Sequence, residues 1–177
     1  MVFPECGADP DCNDEIQTAM QAGPIQAHMA DRLLFRHWNF WKDGKRIHTL
    51  LFRFDAQAYR DLTPGNYDSP AFSPGGSTGF SISPDGKELC VASNRDSNEW
   101  ETTNKDLWVI SLETGTMRNI THDNEAYDAD PQYSPDGRYI AYRRQNIPNY
   151  ESDRFRLALY DRQSGETRIL TEHLIIG

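Results

Sequence analysis

Short apolar runs alternate with turn-forming clusters along most of the chain. The pattern predicts strands near Gly79–Ser83, Glu88–Ser93, Asp106–Leu112 and Met117–Ile120, then again near Pro131–Ser134, Tyr139–Arg143, Phe155–Asp161 and Thr167–Leu170. Each run is short, rich in β-branched and aromatic residues, and bounded by Gly, Pro, Asn, Asp or Ser, which reads as strand rather than helix. Upstream, Leu33–Trp41 and Arg46–Phe54 flank Lys42-Asp43-Gly44-Lys45, a hairpin signal. One helix is predicted, Asp14–Ala22, with Ile16 and Met20 on one face, Asp14 or Asn13 as its cap and Gly23-Pro24 as its stop.

The strand pattern repeats. Ser83-Pro84-Asp85-Gly86 recurs as Ser134-Pro135-Asp136-Gly137, 51 positions later. Thr114-Gly115 answers Ser164-Gly165, and Asn119-Ile120-Thr121 answers Ile169-Leu170-Thr171, each 50 positions later. Arg60-Asp61-Leu62-Thr63 closes an earlier unit in the same manner. Self-similarity at about 40–50 residues is the mark of propeller blades. The fold class is therefore all-β, with about three four-stranded antiparallel meanders and one short helical insertion. The units run over 1–63 (a partial blade carrying the helix), 64–121 and 122–173. A propeller closes with about 4–8 blades, so the chain reads as a portion of a longer protein or as an oligomer that completes a ring.

In a meander, successive connections alternate between two rims. The tight Ser-Pro-Asp-Gly and Thr-Gly or Ser-Gly turns share one rim. The long connections, 94–105, 121–130 and 145–153, share the other, together with the connection at 38–46. Long loops on a rigid scaffold concentrate binding, so candidate chemistry is sought there.

Charge narrows the partners. With 27 acidic against 18 basic residues the formal charge is −9, and an acidic surface repels phosphates, which argues against nucleic acid. No apolar run is long enough to span a membrane as a helix. No signal peptide is visible at the N-terminus, which reads like a strand already under way. Cys6 and Cys12 bracket a short loop. They read as a disulfide of an oxidising compartment or as two reduced thiols. Cys90, in an apolar run, reads as core.

Several constellations carry candidate chemistry. Gly75-Gly76-Ser77-Thr78-Gly79 matches the nucleophile-elbow pattern, but such an elbow needs a strand before it and a helix after it. Here Pro74 precedes and a strand is predicted to follow. Arg36-His37-Trp38-Asn39-Phe40-Trp41 places aromatics on both faces of one strand, with His37, Asn39 and Trp41 together. It reads as the wall of a substrate pocket or as packing against a neighbouring blade. Trp108 and Tyr160, both mid-strand, read as core. Asn149-Tyr150-Glu151-Ser152-Asp153-Arg154 offers a carboxylate for a substrate amine, with Arg154 to orient it or to hold a carbonyl. By spacing alone the reading as a solvated surface pair is favoured over the functional one. His122, Asp123, Glu125, Asp128 and Asp130 lack the spacing of a calcium loop and read as a solvated acidic loop. No metal or cofactor motif is present.

Lys105-Asp106-Leu107-Trp108-Val109 and the Ser-Pro-Asp-Gly turns resemble the propeller repeats shared by TolB and the prolyl oligopeptidase-family serine peptidases. Leu34-Phe35-Arg36-His37-Trp38 with Trp41 and Asp43-Gly44 resembles the dipeptidyl-peptidase V and acylaminoacyl-peptidase branch. So do Asp61–Pro70, Tyr150–Leu157 and the paired cysteines after Val2-Phe3-Pro4. The resemblance implies an N-terminal propeller that gates access to a C-terminal α/β-hydrolase domain bearing a Ser-Asp-His triad, which no part of this sequence matches. It implies a periplasmic or secreted exopeptidase whose partners are an oligopeptide substrate and that hydrolase domain in cis. Glu151 then becomes the anchor of the substrate amine, supported by Arg154, with His37, Trp38 and Trp41 at the mouth of the site. The chain alone is expected to be inactive. The alternative implied by TolB is a non-enzymatic protein-interaction module.

Overall fold

The computed structural model describes residues 1–25, 27–71 and 79–173. The chain divides into two compact units, Met1–Ser69 and Pro70–Gly177.

In the first unit, helix α1 spans Pro10–Ala22. It starts earlier than the apolar spacing suggests, because Asp9 is the cap: its Oδ1 accepts from the amides of Asp11 and Cys12 at 3.0 and 3.2 Å, and Pro10 supplies a preset first turn. Asn13 has a different task. Its Oδ1 accepts from Phe3 N at 2.8 Å and its Nδ2 donates to Gly7 O at 3.1 Å. The Cys6–Cys12 disulfide closes the same loop, with Cα atoms 5.6 Å apart. The segment before α1 is thus fixed to the helix start by a covalent bond and side-chain hydrogen bonds.

Four short strands follow. β1 (Arg36–His37) pairs antiparallel with β2 (Phe40–Trp41), and β3 (Leu50–Arg53) with β4 (Ala58–Asp61). The long hairpin expected over Asp43-Gly44 does not form, although its turn does. Lys45 N donates to Lys42 O at 2.9 Å, and Asp43 and Gly44 both have positive φ, as a type I′ turn requires. The flanks instead find other partners. Arg46 bridges Val2, and Lys42 N donates to Phe35 O. Buried Asp68 takes the Lys42 ammonium at 2.5 Å and the Ile47 amide at 2.8 Å. A buried carboxylate needs such partners, and through them Asp68 fixes both ends of the 42–47 segment.

The second unit holds two four-stranded antiparallel sheets in simple meander order. The first contains β5 (Phe80–Ile82), β6 (Glu88–Ser93), β7 (Asp106–Ser111) and β8 (Met117–Asn119). The second contains β9 (Asp128–Tyr133), β10 (Tyr139–Arg144), β11 (Arg156–Asp161) and β12 (Thr167–Ile169). These are propeller blades, and the fold is a partial propeller. The repeated turn works identically in both. Ser83 Oγ bonds Asp85 and accepts from Glu88 N at 2.9 Å, and Ser134 Oγ bonds Asp136 and accepts from Tyr139 N at 2.9 Å. Gly86 and Gly137 take φ of 69° and 71°, which explains glycine there.

A second repeated device closes each unit. Thr121 Oγ1 accepts from Leu107 N at 2.9 Å, Thr171 Oγ1 from Leu157 N at 2.8 Å, and Thr63 Oγ1 from Thr49 N at 2.9 Å. The hairpin β3–β4 therefore ends like β7–β8 and β11–β12. Between the two four-stranded sheets lies one core. Cys90, Ala92, Leu107, Val109 and Ile120 of the first face Ala129, Ile140, Tyr142, Ala158 and Tyr160 of the second. Tyr160 is core as expected. Trp108 is only half-buried and lies beneath the Arg95 guanidinium, 4.0 Å from its ring centre.

Candidate functional site

The long connection from β10 to β11 is ordered from within. Buried Gln145 donates from Nε2 to the carbonyls of Glu151 and Asp153 at 3.1 and 2.6 Å. Asp153 Oδ2 accepts from the amides of Asn146 and Ile147 at 2.7 and 3.1 Å and from Arg156 at 3.1 Å. Burial opposes ionisation of Asp153, but these three donors outweigh it and hold its pKa below the ordinary value. The loop is also tied to the preceding blade. Asn149, at φ 60°, accepts from Thr103 N and donates its own amide to Thr103 Oγ1, both at 3.1 Å. Two long loops on the same rim thus brace each other.

Glu151 sits exposed on this braced loop, and its carboxylate has no hydrogen-bond or ion-pair partner among the described residues. Arg154, expected to orient it, is engaged elsewhere. Its guanidinium donates to Glu172 O at 2.5 Å and approaches Glu172 Oε1 at 3.4 Å. Arg156 donates from Nε to Glu172 Oε2 at 3.1 Å. The arginines therefore hold the loop's exit and leave Glu151 free to meet a cation.

Next to this loop is a ladder of cations and rings. Lys105 Nζ lies 4.6 Å from the Tyr127 ring centre, Tyr127 meets Phe155 edge-on at 5.4 Å, and Arg143 lies 4.5 Å over Phe155. Arg143 also pairs with Asp130. Asp130 reaches it through a β-bulge: the β9–β10 register shifts between Ala141 and Arg143, and Asp130 takes φ 55°. Burial lowers the Lys105 pKa, Asp130 partly opposing this. The acidic loop is not uniformly solvated, contrary to its composition. His122, Asp123 and Glu125 are exposed, but Asp128 is fully buried. Asn124 donates to its Oδ2 at 2.9 Å, and its Oδ1 has no partner. Burial pushes the Asp128 carboxyl up to about 8.

His37, Trp38 and Trp41 lie in the first unit. A turn at Trp38-Asn39 interrupts the alternation expected of one strand, so Arg36 lies opposite Trp41 and His37 opposite Phe40. Trp38 stands at the tip, 79% exposed with φ 50°. Trp41 stacks with His28 and with Phe35, with ring centres at 4.3 and 5.7 Å. The elbow-like Ser77 lies outside the described residues. The segment just beyond it, Phe80–Ile82, is a strand, so the helix that such a nucleophile needs does not follow at Gly79.

Residues 83–147 match the family described as dipeptidyl peptidase IV (DPP IV) N-terminal region. The chain is 33% identical over 141 residues to dipeptidyl-peptidase 5 of Porphyromonas endodontalis, covering 76% of this chain and 20% of that protein. It is 31% identical over 144 residues to dipeptidyl-peptidase 5 of Porphyromonas gingivalis, with the same shares. The chain spans about a fifth of the length of these relatives. Among solved structures, a candidate TolB from Agrobacterium tumefaciens superposes with a TM-score of 0.50 at 18% identity, over 69% of this chain and 40% of that one, which supports the propeller fold.

Proposed function

We propose, starting from a chain that belongs to the N-terminal propeller region of prolyl oligopeptidase-family peptidases, that this portion anchors the amino terminus of an oligopeptide for a serine exopeptidase. The unpaired carboxylate of Glu151 carries this reading. It stands on a loop braced by Gln145, Asp153 and Thr103, so little ordering entropy remains to be lost when a ligand binds. A substrate ammonium would give it charge-assisted hydrogen bonds worth about 1.5–3 kcal/mol. The reaction is acyl transfer to water, releasing dipeptides or acyl-amino acids. Its nucleophile belongs to an α/β-hydrolase domain in cis, and the propeller limits access to that domain. The Cys6–Cys12 disulfide supports a periplasmic or secreted setting.

The test uses the full-length enzyme. Glu151→Gln should raise KM for substrates with a free amino terminus by about 10–100-fold, the equivalent of the lost ionic hydrogen bonds, and leave N-acylated substrates unchanged. An equal effect on both would assign Glu151 a structural role.

A further inference from the structure

The first unit contains a half-open cavity of about 720 Å³ that lies apart from the Glu151 loop in sequence and uses none of its residues. That volume lies within the range of small-ligand sites, about 300–1,000 Å³. One wall is the stack His28–Trp41–Phe35. The His28 and Trp41 rings are 5° from parallel, and Asp43 Oδ1 holds His28 Nδ1 at 2.6 Å. Trp41 therefore stacks with two rings, and among the described residues the stack comprises His28, Trp41 and Phe35. The lining also includes Ile16 and Met20 of α1 with Phe3, and Phe3 is tied to the helix through Asn13.

The cations at the margin are already engaged. Lys42 and Arg46 face buried Asp68, Arg32 lies 3.6 Å from Asp31, and Lys45 bonds Gln17. The site thus combines an aromatic stack with apolar side chains, and its charged lining residues Arg32, Lys42, Arg46, Asp31 and Asp43 are paired within the chain, so among the described residues no cation is left to select an anion. Stacked rings favour a further ring, and the flexible thioether of Met20 adapts to its edge. We propose that this cavity binds an uncharged aromatic group, namely the aromatic side chain of a peptide flanked by neutral amides. The proposal does not rest on the role of Glu151.

The test is a calorimetric and ligand-observed NMR titration of the 177-residue chain with N-acetyl-L-phenylalaninamide, beside N-acetyl-L-alaninamide and 3-phenylpropionate. Saturable binding of the phenylalaninamide is expected, at least tenfold tighter than of the other two. Phe35→Ala should weaken it about tenfold. Met20→Trp should abolish it by filling the cavity from a half-exposed helix position, with an unchanged far-ultraviolet circular dichroism spectrum showing that the fold survives. Absence of saturable binding, equal binding of the alaninamide or the carboxylate, or undiminished binding to folded Met20→Trp would each overturn the proposal.

Discussion

Asp128→Asn removes a buried ionisable group while keeping its shape, and its stabilising effect should grow with pH. In the fold the carboxyl sits at about 8 against an ordinary 3.8, because burial disfavours the charge and the single side-chain donor, Asn124, offsets only part of that. A carboxyl whose folded pKa is raised favours the folded state fully below the unfolded pKa. That contribution declines as pH rises and is gone above the folded pKa. The window thus runs from about 4 to about 8, and four pKa units correspond to an upper bound of about 6 kcal/mol. Water entry and local relaxation on ionisation reduce this, so a loss of about 2–4 kcal/mol between pH 5 and pH 9 is expected for the parent chain. Asparagine mimics the neutral acid: its Oδ1 accepts from Asn124, and its amide occupies the place of the unpartnered oxygen. Urea unfolding at pH 5, 7 and 9 reads the result. Asp128→Asn should match the parent within about 1 kcal/mol at pH 5 and exceed it by about 2–4 kcal/mol at pH 9. A parent whose stability relative to the variant is flat across that window would refute the reasoning.

The closing threonines give a graded test. Thr121→Val leaves the buried Leu107 amide without its acceptor and should cost about 1–3 kcal/mol in urea unfolding, whereas Thr171→Val, whose Leu157 amide is exposed, should cost under about 1 kcal/mol. Asp153→Ala strips the Asn146 and Ile147 amides and the Arg156 guanidinium of their shared acceptor. It should destabilise by about 3 kcal/mol and, in the full-length enzyme, raise KM for free amino termini. Fluorophosphonate labelling should mark the full-length enzyme and leave the 177-residue chain unlabelled; labelling of the chain that disappears in Ser77→Ala would place a nucleophile in it.

The blade pattern was legible because its devices are local. Ser83 and Ser134 bond residues two to five positions away, and Thr63, Thr121 and Thr171 each bond a residue fourteen positions back, closing a hairpin. What escaped depends on distant partners. The Asp43-Gly44 turn was readable, but Asp68, far along the chain, decides what its flanks do. The partner of Arg154 is Glu172, eighteen positions on, so proximity to Glu151 misled. The acidic loop looked uniformly wet because its composition hides Asp128 beneath Asn124 and a bulge turns Asp130 toward Arg143. The start of α1 was readable in Asp9-Pro10, a cap followed by a first-turn proline, but apolar spacing drew attention to Asp14. Strict alternation puts His37 and Trp41 on one face, but a two-residue turn within the aromatic run resets it and pairs Arg36 with Trp41.

The central claim is that Glu151 receives the substrate's amino terminus. The most direct measurement is a crystal structure of the full-length enzyme with a bound dipeptide. The account predicts the peptide's terminal nitrogen within hydrogen-bond distance of the Glu151 carboxylate, about 2.7–3.2 Å. A terminal nitrogen held by other groups, with Glu151 facing solvent, would contradict it.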